Sequence, residues 1–368
     1  MSAGGDEGPD AAEVGYLRAA LAAAQAARDF LAWMEGAAEK LAPGRSEGLA
    51  AEARDLLLPA VARARAALDA APPPDDLAPY ASRLAEAFGH AERACALFAG
   101  HPEAPPPARI AVILQSLHES ARAQDGFYAL RRAAPPFADF WLLPGTTRPD
   151  RAARPAGDAG PATGVVHVGA GGDHGGFALY VPEDYDGDAE WPLVVALHGG
   201  SGNGPDFLWT WLREAKSRDY VLVAPSSVGS TWGPREDHGL LQIVAWLAAH
   251  YRIDRRRILL TGLSDGATFG LLYGLSHPDV YRAIAPLCGV LHPANEPLGN
   301  LVRARGVPIY LVHGALDFLF PVALARAARD VLLRSGAALE YRELPELSHT
   351  YPRSENVRIL DWFERLES

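Results

Sequence analysis

Lysine is almost missing from this chain: of its 34 basic residues only Lys40 and Lys216 are lysines. The arginine bias, beside 36 glycines and 30 prolines, is a compositional trend that carries no functional weight. Cysteine is as scarce. Cys95 and Cys288 stand alone in opposite halves of the chain, which excludes a disulfide framework and reads as two small buried hydrophobes. Positive charge is in deficit, with a net charge of -11, so a nucleic-acid or anionic-membrane partner is not expected. No run approaches the roughly 20 apolar residues that cross a bilayer, which excludes a membrane span. The start, MSAGGDEGPD, lacks a basic stretch followed by an apolar one, so no secretory signal is read and a cytoplasmic location is expected. No His/Cys/Asp cluster has zinc-like spacing and no P-loop is present, so neither metal nor cofactor is expected. What remains is ordinary for a globular protein: 368 residues, 49% hydrophobic and 21% charged. That length buries a full core and predicts two or three domains at about 150 residues each.

The two halves differ in hydrophobic period. From Val14 to Arg132 apolar residues recur every three or four positions, as on one face of a helix. The stripes are Leu17, Leu21, Ala24, Leu31 and Met34; then Leu49, Leu56, Leu57, Val61 and Leu68, with Pro59 a kink or break; then Tyr80, Leu84, Phe88, Cys95 and Phe98; then Ile110, Ile113, Leu117, Ala121 and Tyr128. Pro43-Gly44, Pro72–Pro74, Gly100 and Pro105–Pro107 punctuate them, which predicts an antiparallel helical bundle over residues 1–134. About the first 12 residues are expected to be disordered. His90, His101 and His118 read as surface or bundle-edge histidines, and no site is read in this half. The bundle is expected to serve as a partner surface, a cover over the second half, or the interface of a homo-oligomer. Residues 135–163 are rich in Pro, Gly, Ala and Arg and read as a linker whose aromatic start, PPFADFWLLP, is pinned to one domain.

Residues 164–368 read as alternating strand and helix. VVHV and FALYV flank the turn GAGGDHGG as a hairpin; a strand follows that turn, so it is not a dinucleotide fingerprint. The runs PLVVALH, YVLVAP, ILLTG, YRAIAPL and PIYLVHG alternate with helices near Leu240–Tyr251, Ala267–Ser276 and Ala323–Ser335. Continuous apolar strands between helices mean a parallel sheet buried on both faces, with ligands outside the carboxyl ends of its strands.

At those ends stand a glycine-rich loop from Gly199 to Gly204, then Ser264 within GLSDG, then Asp317, and then His349 after the strand-like LEYRELP. A bare G-x-S-x-G match is weak, since chance supplies about 0.15 matches in this composition. Its place, after an apolar run and before a helix, is that of a nucleophile elbow. A serine hydroxyl needs an adjacent base, and His349 alone among the twelve histidines follows Asp317, giving the order serine, acid, histidine. His198 and His313 end strands and read as loop-shaping, while Glu343 and Glu346 are rival acids placed too near His349 to orient it easily. Attack on an ester carbonyl needs fixed N–H donors for the oxyanion, assigned to the backbone of Gly200 and Asp265. Phe207, Trp209, Trp211, Trp232, Phe318 and Phe320 lie near strand ends; of these Trp209, Trp211, Trp232 and Phe318 are the candidates to bind substrate.

HGG at 198–200, GLSDG at 262–266, HGALDFLFP at 313–321 and SH at 348–349 resemble an α/β-hydrolase serine esterase. YRIDRRRILLTGLSDG is similar to bacterial esterases of the phospholipase/carboxylesterase and polyhydroxybutyrate-depolymerase-like groups. The resemblance covers about Gly164–Ser368 and implies an α/β-hydrolase parallel-sheet domain there; the all-α bundle before it lies outside the resemblance. The resemblance also implies a carboxylic-ester hydrolase acting on a small molecule through an acyl-enzyme, with Ser264 as nucleophile, His349 as base and Asp317 as orienter. A serine peptidase of the oligopeptidase type shares that triad order, and a non-catalytic scaffold is the third reading.

Overall fold

Alanine, more than leucine, builds the buried face of the first helix. The computed structural model describes residues 11–148, 151–157, 160–169, 174–233 and 236–366. Its backbone divides into two units, residues 11–38 with 43–141 and residues 39–42 with 142 onward. The first unit holds α1 (Ala11–Lys40, its last two residues grouping with the second unit), α2 (Ser46–Glu52), α3 (Leu58–Asp69), α4 (Ala78–Gly100), α5 (Arg109–Ala129) and α6 (Pro135–Phe140). Of the residues expected to be disordered, 1–10 lie outside the described ones, whereas Ala11 and Ala12 already belong to α1.

On α1 the residues removed from water are Tyr16, Ala20, Ala23, Ala24, Ala27, Phe30, Leu31, Met34 and Ala37, while Leu17 and Leu21 are about half exposed. The expected stripe is therefore rotated, because small side chains let helices approach closely and leave the leucines on the neighbouring face. At Pro59 the chain stays helical but not uniformly α: a π-helical segment, Ala53–Leu57, joins α2 to α3, and the proline is the second residue of α3.

Helices α4 and α5 run antiparallel. Ser116 Oγ donates to Ala94 O at 2.7 Å, His90 Nδ1 meets the Glu119 carboxylate at 2.7 Å, and Gly126 leaves only enough room for Ala87 Cβ. Two histidines expected at the surface are thus structural: His90 is partnered by Glu119, and His101 is buried with Nδ1 on Phe98 O at 2.7 Å. The aromatic PPFADFW belongs to this unit. Phe137 stacks on Phe127 and Trp141 packs edge-on against Tyr128, so this segment groups with the first unit, which runs to Trp141.

The described linker residues after Trp141 are fastened to the second unit. Leu143 N–H donates to Ser217 Oγ, Arg148 pairs with Asp184 and Asp219, and Thr163 N–H donates to Arg154 O. The second unit then forms one eight-stranded sheet from β1 (Gly164–Val168), β2 (Phe177–Val181), β3 (Trp191–Leu197), β4 (Val221–Pro225), β5 (Ile253–Leu263), β6 (Ala283–Leu287), β7 (Pro308–Gly314) and β8 (Ala338–Leu344). The strand order is β1-β2-β4-β3-β5-β6-β7-β8. β1 and β2 pair antiparallel as the expected hairpin, β2 pairs antiparallel with β4, and the remaining neighbours are parallel. Every residue of β2, β3, β4, β6 and β7 is buried, as continuous apolar runs require, whereas the edge strands β1 and β8 are half-buried.

Between and after the strands lie α7 (Gly204–Phe207), α8 (Leu212–Arg218), α9 (Asp237–His250), α10 (Asp265–Ser276), α11 (Asn300–Arg303), α12 (Val322–Arg334) and α13 (Asn356–Arg365). α9 packs on the sheet through Leu240, Val244 and Leu247, and α12 through Ala328 and Leu332.

One of the two lysines is inside. Lys216 Nζ lies 2.7 Å from Glu183 Oε2, both side chains are almost wholly buried, and Tyr180 OH donates to the same carboxylate at 3.0 Å. Removing one partner strands a buried charge. K216M is expected to lower unfolding free energy by about 3–5 kcal/mol. E183L/K216M should recover most of that loss in urea titrations.

Candidate active site

The turn from β5 into α10 holds Ser264 at φ 56°, ψ −114°, a conformation that costs an L-residue about 1–3 kcal/mol. Its neighbours hold it there. Ser264 N–H donates to Leu287 O of β6 at 2.9 Å, and Ser264 O accepts from the N–H and hydroxyl of Thr268 at 2.9 and 3.0 Å. The turn also presses against the end of β3: a Cβ on Gly266 would run into the carbonyl oxygens of Leu197 and His198. The motif glycine is required by this close approach.

His349 reaches Ser264 from the segment after β8. Its Nε2 lies 2.8 Å from Ser264 Oγ and its Nδ1 2.8 Å from Asp317 Oδ2. An ionised carboxylate only accepts, so Nδ1 carries the proton and Nε2 presents its lone pair to the serine hydroxyl. Asp317 Oδ1 accepts the N–H groups of Leu319 at 3.0 Å and Phe320 at 2.7 Å. Burial opposes ionisation of Asp317, but hydrogen bonds from His349 and Phe320 outweigh it and hold the carboxyl below the usual carboxylate range. The rival Glu343 is occupied elsewhere, accepting from Arg326 at 2.6 and 2.9 Å and from Tyr341 at 2.9 Å.

The loop after β3 passes beside the elbow, so that a Cβ on Gly199 would touch Ser264 Cβ at 3.6 Å and one on Gly200 would touch Asp265 Cβ at 3.9 Å. His198 sets this loop. Its Nε2 accepts Ser227 N–H at 3.0 Å, so Nδ1 bears the proton and donates to Gly199 O at 2.7 Å. Burial lowers the proton affinity of His198 and keeps this neutral tautomer. Gly202 N–H grips the same Gly199 oxygen at 3.1 Å. In a trans peptide the Gly200 N–H points opposite to that clamped carbonyl. The Asp265 N–H belongs to the first turn of α10, where amides have no intrahelical acceptor. The Asp265 carboxylate, meanwhile, accepts from Thr231 Oγ1 and from Trp232 N–H at 2.9 Å.

The aromatic candidates separate. Trp211 is fully buried and Trp209 nearly so, which puts both rings in the interior; Trp209 contributes its carbonyl, which accepts from Arg353 at 2.8 Å. Trp232 is buried against Phe269 and His198, its Nε1 donating to His198 O at 2.7 Å. Phe318 stays 50% exposed, between Leu316 at 48% and Leu319 at 52%, so the strand-end loop carrying the acid has an apolar rim. Sequence reasoning missed the stitching behind His349. Asn356 Nδ2 donates to Thr210 O at 2.7 Å, and Tyr351 OH donates to Asn356 Oδ1 at 2.8 Å. Polar residues in a loop give no periodic signal of such bonds.

Residues 239–364, which contain the serine, the aspartate and the histidine, match the phospholipase/carboxylesterase family model. The second unit has the α/β-hydrolase fold. This α/β-hydrolase unit is similar to a bifunctional acetylxylan esterase/xylanase of Neocallimastix patriciarum, 30% identical over 157 residues, covering 40% of this chain and 22% of that protein. A protein named "Probable feruloyl esterase C" of Aspergillus terreus is 23% identical over 156 residues, covering 38% of this chain and 58% of the relative. One named "Probable dipeptidyl-peptidase 5" of the same species is 23% identical over 244 residues, covering 51% and 33%. The chain thus spans less than two thirds of the length of each. No described helix is long and apolar enough to cross a membrane.

Because the folded-state affinity of Asp317 for its proton is reduced, its carboxylate contributes stability that is complete above about pH 4 and lost as pH falls through the lowered folded value. The gap in unfolding midpoint between wild type and D317N should narrow as pH is lowered from about 5 through the folded value of Asp317.

Proposed function

We propose that the chain is a serine hydrolase of carboxylic esters. The observation that carries the reading is the unbroken hydrogen-bonded line from Ser264 Oγ through His349 to Asp317 on a strained turn at the carboxyl end of the sheet. In this reading His349 Nε2 takes the hydroxyl proton as Ser264 Oγ attacks the ester carbon. Asp317 holds the ring and stabilises the imidazolium without taking its proton. The Gly200 and Asp265 N–H groups receive the developing oxyanion, each donor contributing about 2.7–4 kcal/mol to the transition state. His349 then protonates the leaving alcohol, and water repeats the sequence to release the acid. The half-exposed apolar loop around Phe318 supplies surface for the acyl or alcohol group.

The names of the relatives direct the first substrates to acetyl and feruloyl esters. A second reading, a serine peptidase, draws on the longest of the three matches, to the protein named as a dipeptidyl-peptidase. A panel of p-nitrophenyl acetate, methyl ferulate and aminoacyl-anilides separates the two. Ester kcat/KM should exceed anilide kcat/KM by about 100-fold or more, a difference of roughly 2.7 kcal/mol in barrier; the reverse ranking selects the peptidase. Wild type should react with a fluorophosphonate probe and S264A should not. S264A should lose about 10⁴-fold or more in kcat.

A further inference from the structure

A second imidazole lies beside the acid, and the cycle above does not use it. His313, in β7, is fully buried. Its Nε2 lies 2.7 Å from Phe320 O and 3.4 Å from Asp317 Oδ2, the same oxygen that His349 Nδ1 meets at 2.8 Å. Both neighbours of Nε2 are acceptors, so Nε2 carries the proton. Nδ1 is then a bare lone pair, buried and with no hydrogen-bond partner among the described residues. An apolar side chain would avoid the cost of that orphaned atom. A histidine at this place therefore asks for a return.

The return runs through Phe320. Its carbonyl is held by His313, its N–H makes the shorter of the two amide bonds to Asp317 Oδ1, and its ring packs edge-on against His349 at 5.2 Å. One residue thus touches the acid with its backbone and the base with its ring, and His313 fixes its orientation. Two titratable groups lie against His313. Asp317 is an anion satisfied by His349 and two amides, and the thiol of Cys288, whose N–H bonds Val312 O beside His313, is pushed up to about 12 by burial and by Asp317. No acceptor awaits a proton on Nδ1.

We propose that His313 is a positioning residue of the hydrolytic centre: its Nε2–H clamps Phe320 and flanks Asp317, so that acid and base keep their alignment as His349 gains and loses its proton. This rests on the serine-hydrolase reading and adds to it a fourth side chain behind the acid.

The test uses amide side chains as rulers. Glutamine can place an N–H near the position of Nε2, asparagine reaches only as far as Nδ1, and phenylalanine fills the volume without a donor. With p-nitrophenyl acetate, H313Q should keep kcat within about threefold of wild type. H313N and H313F should lose about 10- to 100-fold in kcat with KM changed less than about threefold, a barrier change of roughly 1.4–2.7 kcal/mol. Full kcat in H313F would overturn the proposal, because volume alone would then suffice; equal losses in H313Q and H313F would overturn it as well. If the variants do not fold, imidazole 15N spectra of the wild-type chain decide. His313 should carry a proton on Nε2 at the pH of the assay, and a ring protonated on Nδ1 alone would contradict it. S264A, assayed in parallel, reports on the underlying reading alone: retained turnover in that variant rejects the serine mechanism whatever the His313 variants do.

Discussion

A serine held in a backbone conformation that its side chain disfavours is the constraint on which the site depends. Ser264 stays at φ 56° because its N–H is bonded into β6, its carbonyl into the first turn of α10, and the glycine two residues on lies flat against the end of β3. Each contact comes from a different strand or helix of the sheet, so the strain is offset by the whole core and not by the loop. In exchange, the hydroxyl stands clear of the sheet and the first-turn amides of α10 stand beside it.

Around that turn, neighbouring segments share a few groups instead of each having its own support. Asp265 serves with its carboxylate as the anchor of the Thr231–Trp232 loop, while Trp232 in turn holds His198 O. His198 clamps the Gly199 carbonyl and so aims the following amide. Phe320 stands between Asp317 and His349 in the same manner. Histidines at the ends of β3 and β7 therefore do parallel work: each is buried, each has its tautomer set by its neighbours, and each holds a backbone carbonyl of a strand-end loop.

Much of this was legible because of where chemistry falls in a parallel sheet. Runs such as PLVVALH and PIYLVHG announce their strands by length and continuity, and the residues that follow them must lie at one rim. That is why Ser264, Asp317 and His349, separated by up to 85 residues, could be named together before any coordinates. Periodicity was less informative in the helical unit. It detects a face but cannot choose between an alanine face and the neighbouring leucine face, hence the exposed Leu17 and Leu21. It is also blind to a π turn that absorbs Pro59, and to bonds from Asn356 or Tyr351 that hold a loop from behind. Aromatic residues near strand ends carry no mark that tells a wall from the core, so Trp209 and Trp211 could be assigned only from their burial.

The central claim is that Ser264 becomes covalently acylated during turnover. Rapid acid quench of the wild-type chain with p-nitrophenyl acetate, followed by peptide mapping, tests it directly. The account predicts one acetyl group per chain on the peptide carrying Ser264, appearing no more slowly than the burst of p-nitrophenol. Steady turnover with that peptide unmodified, or with the acetyl group on another residue, would contradict it.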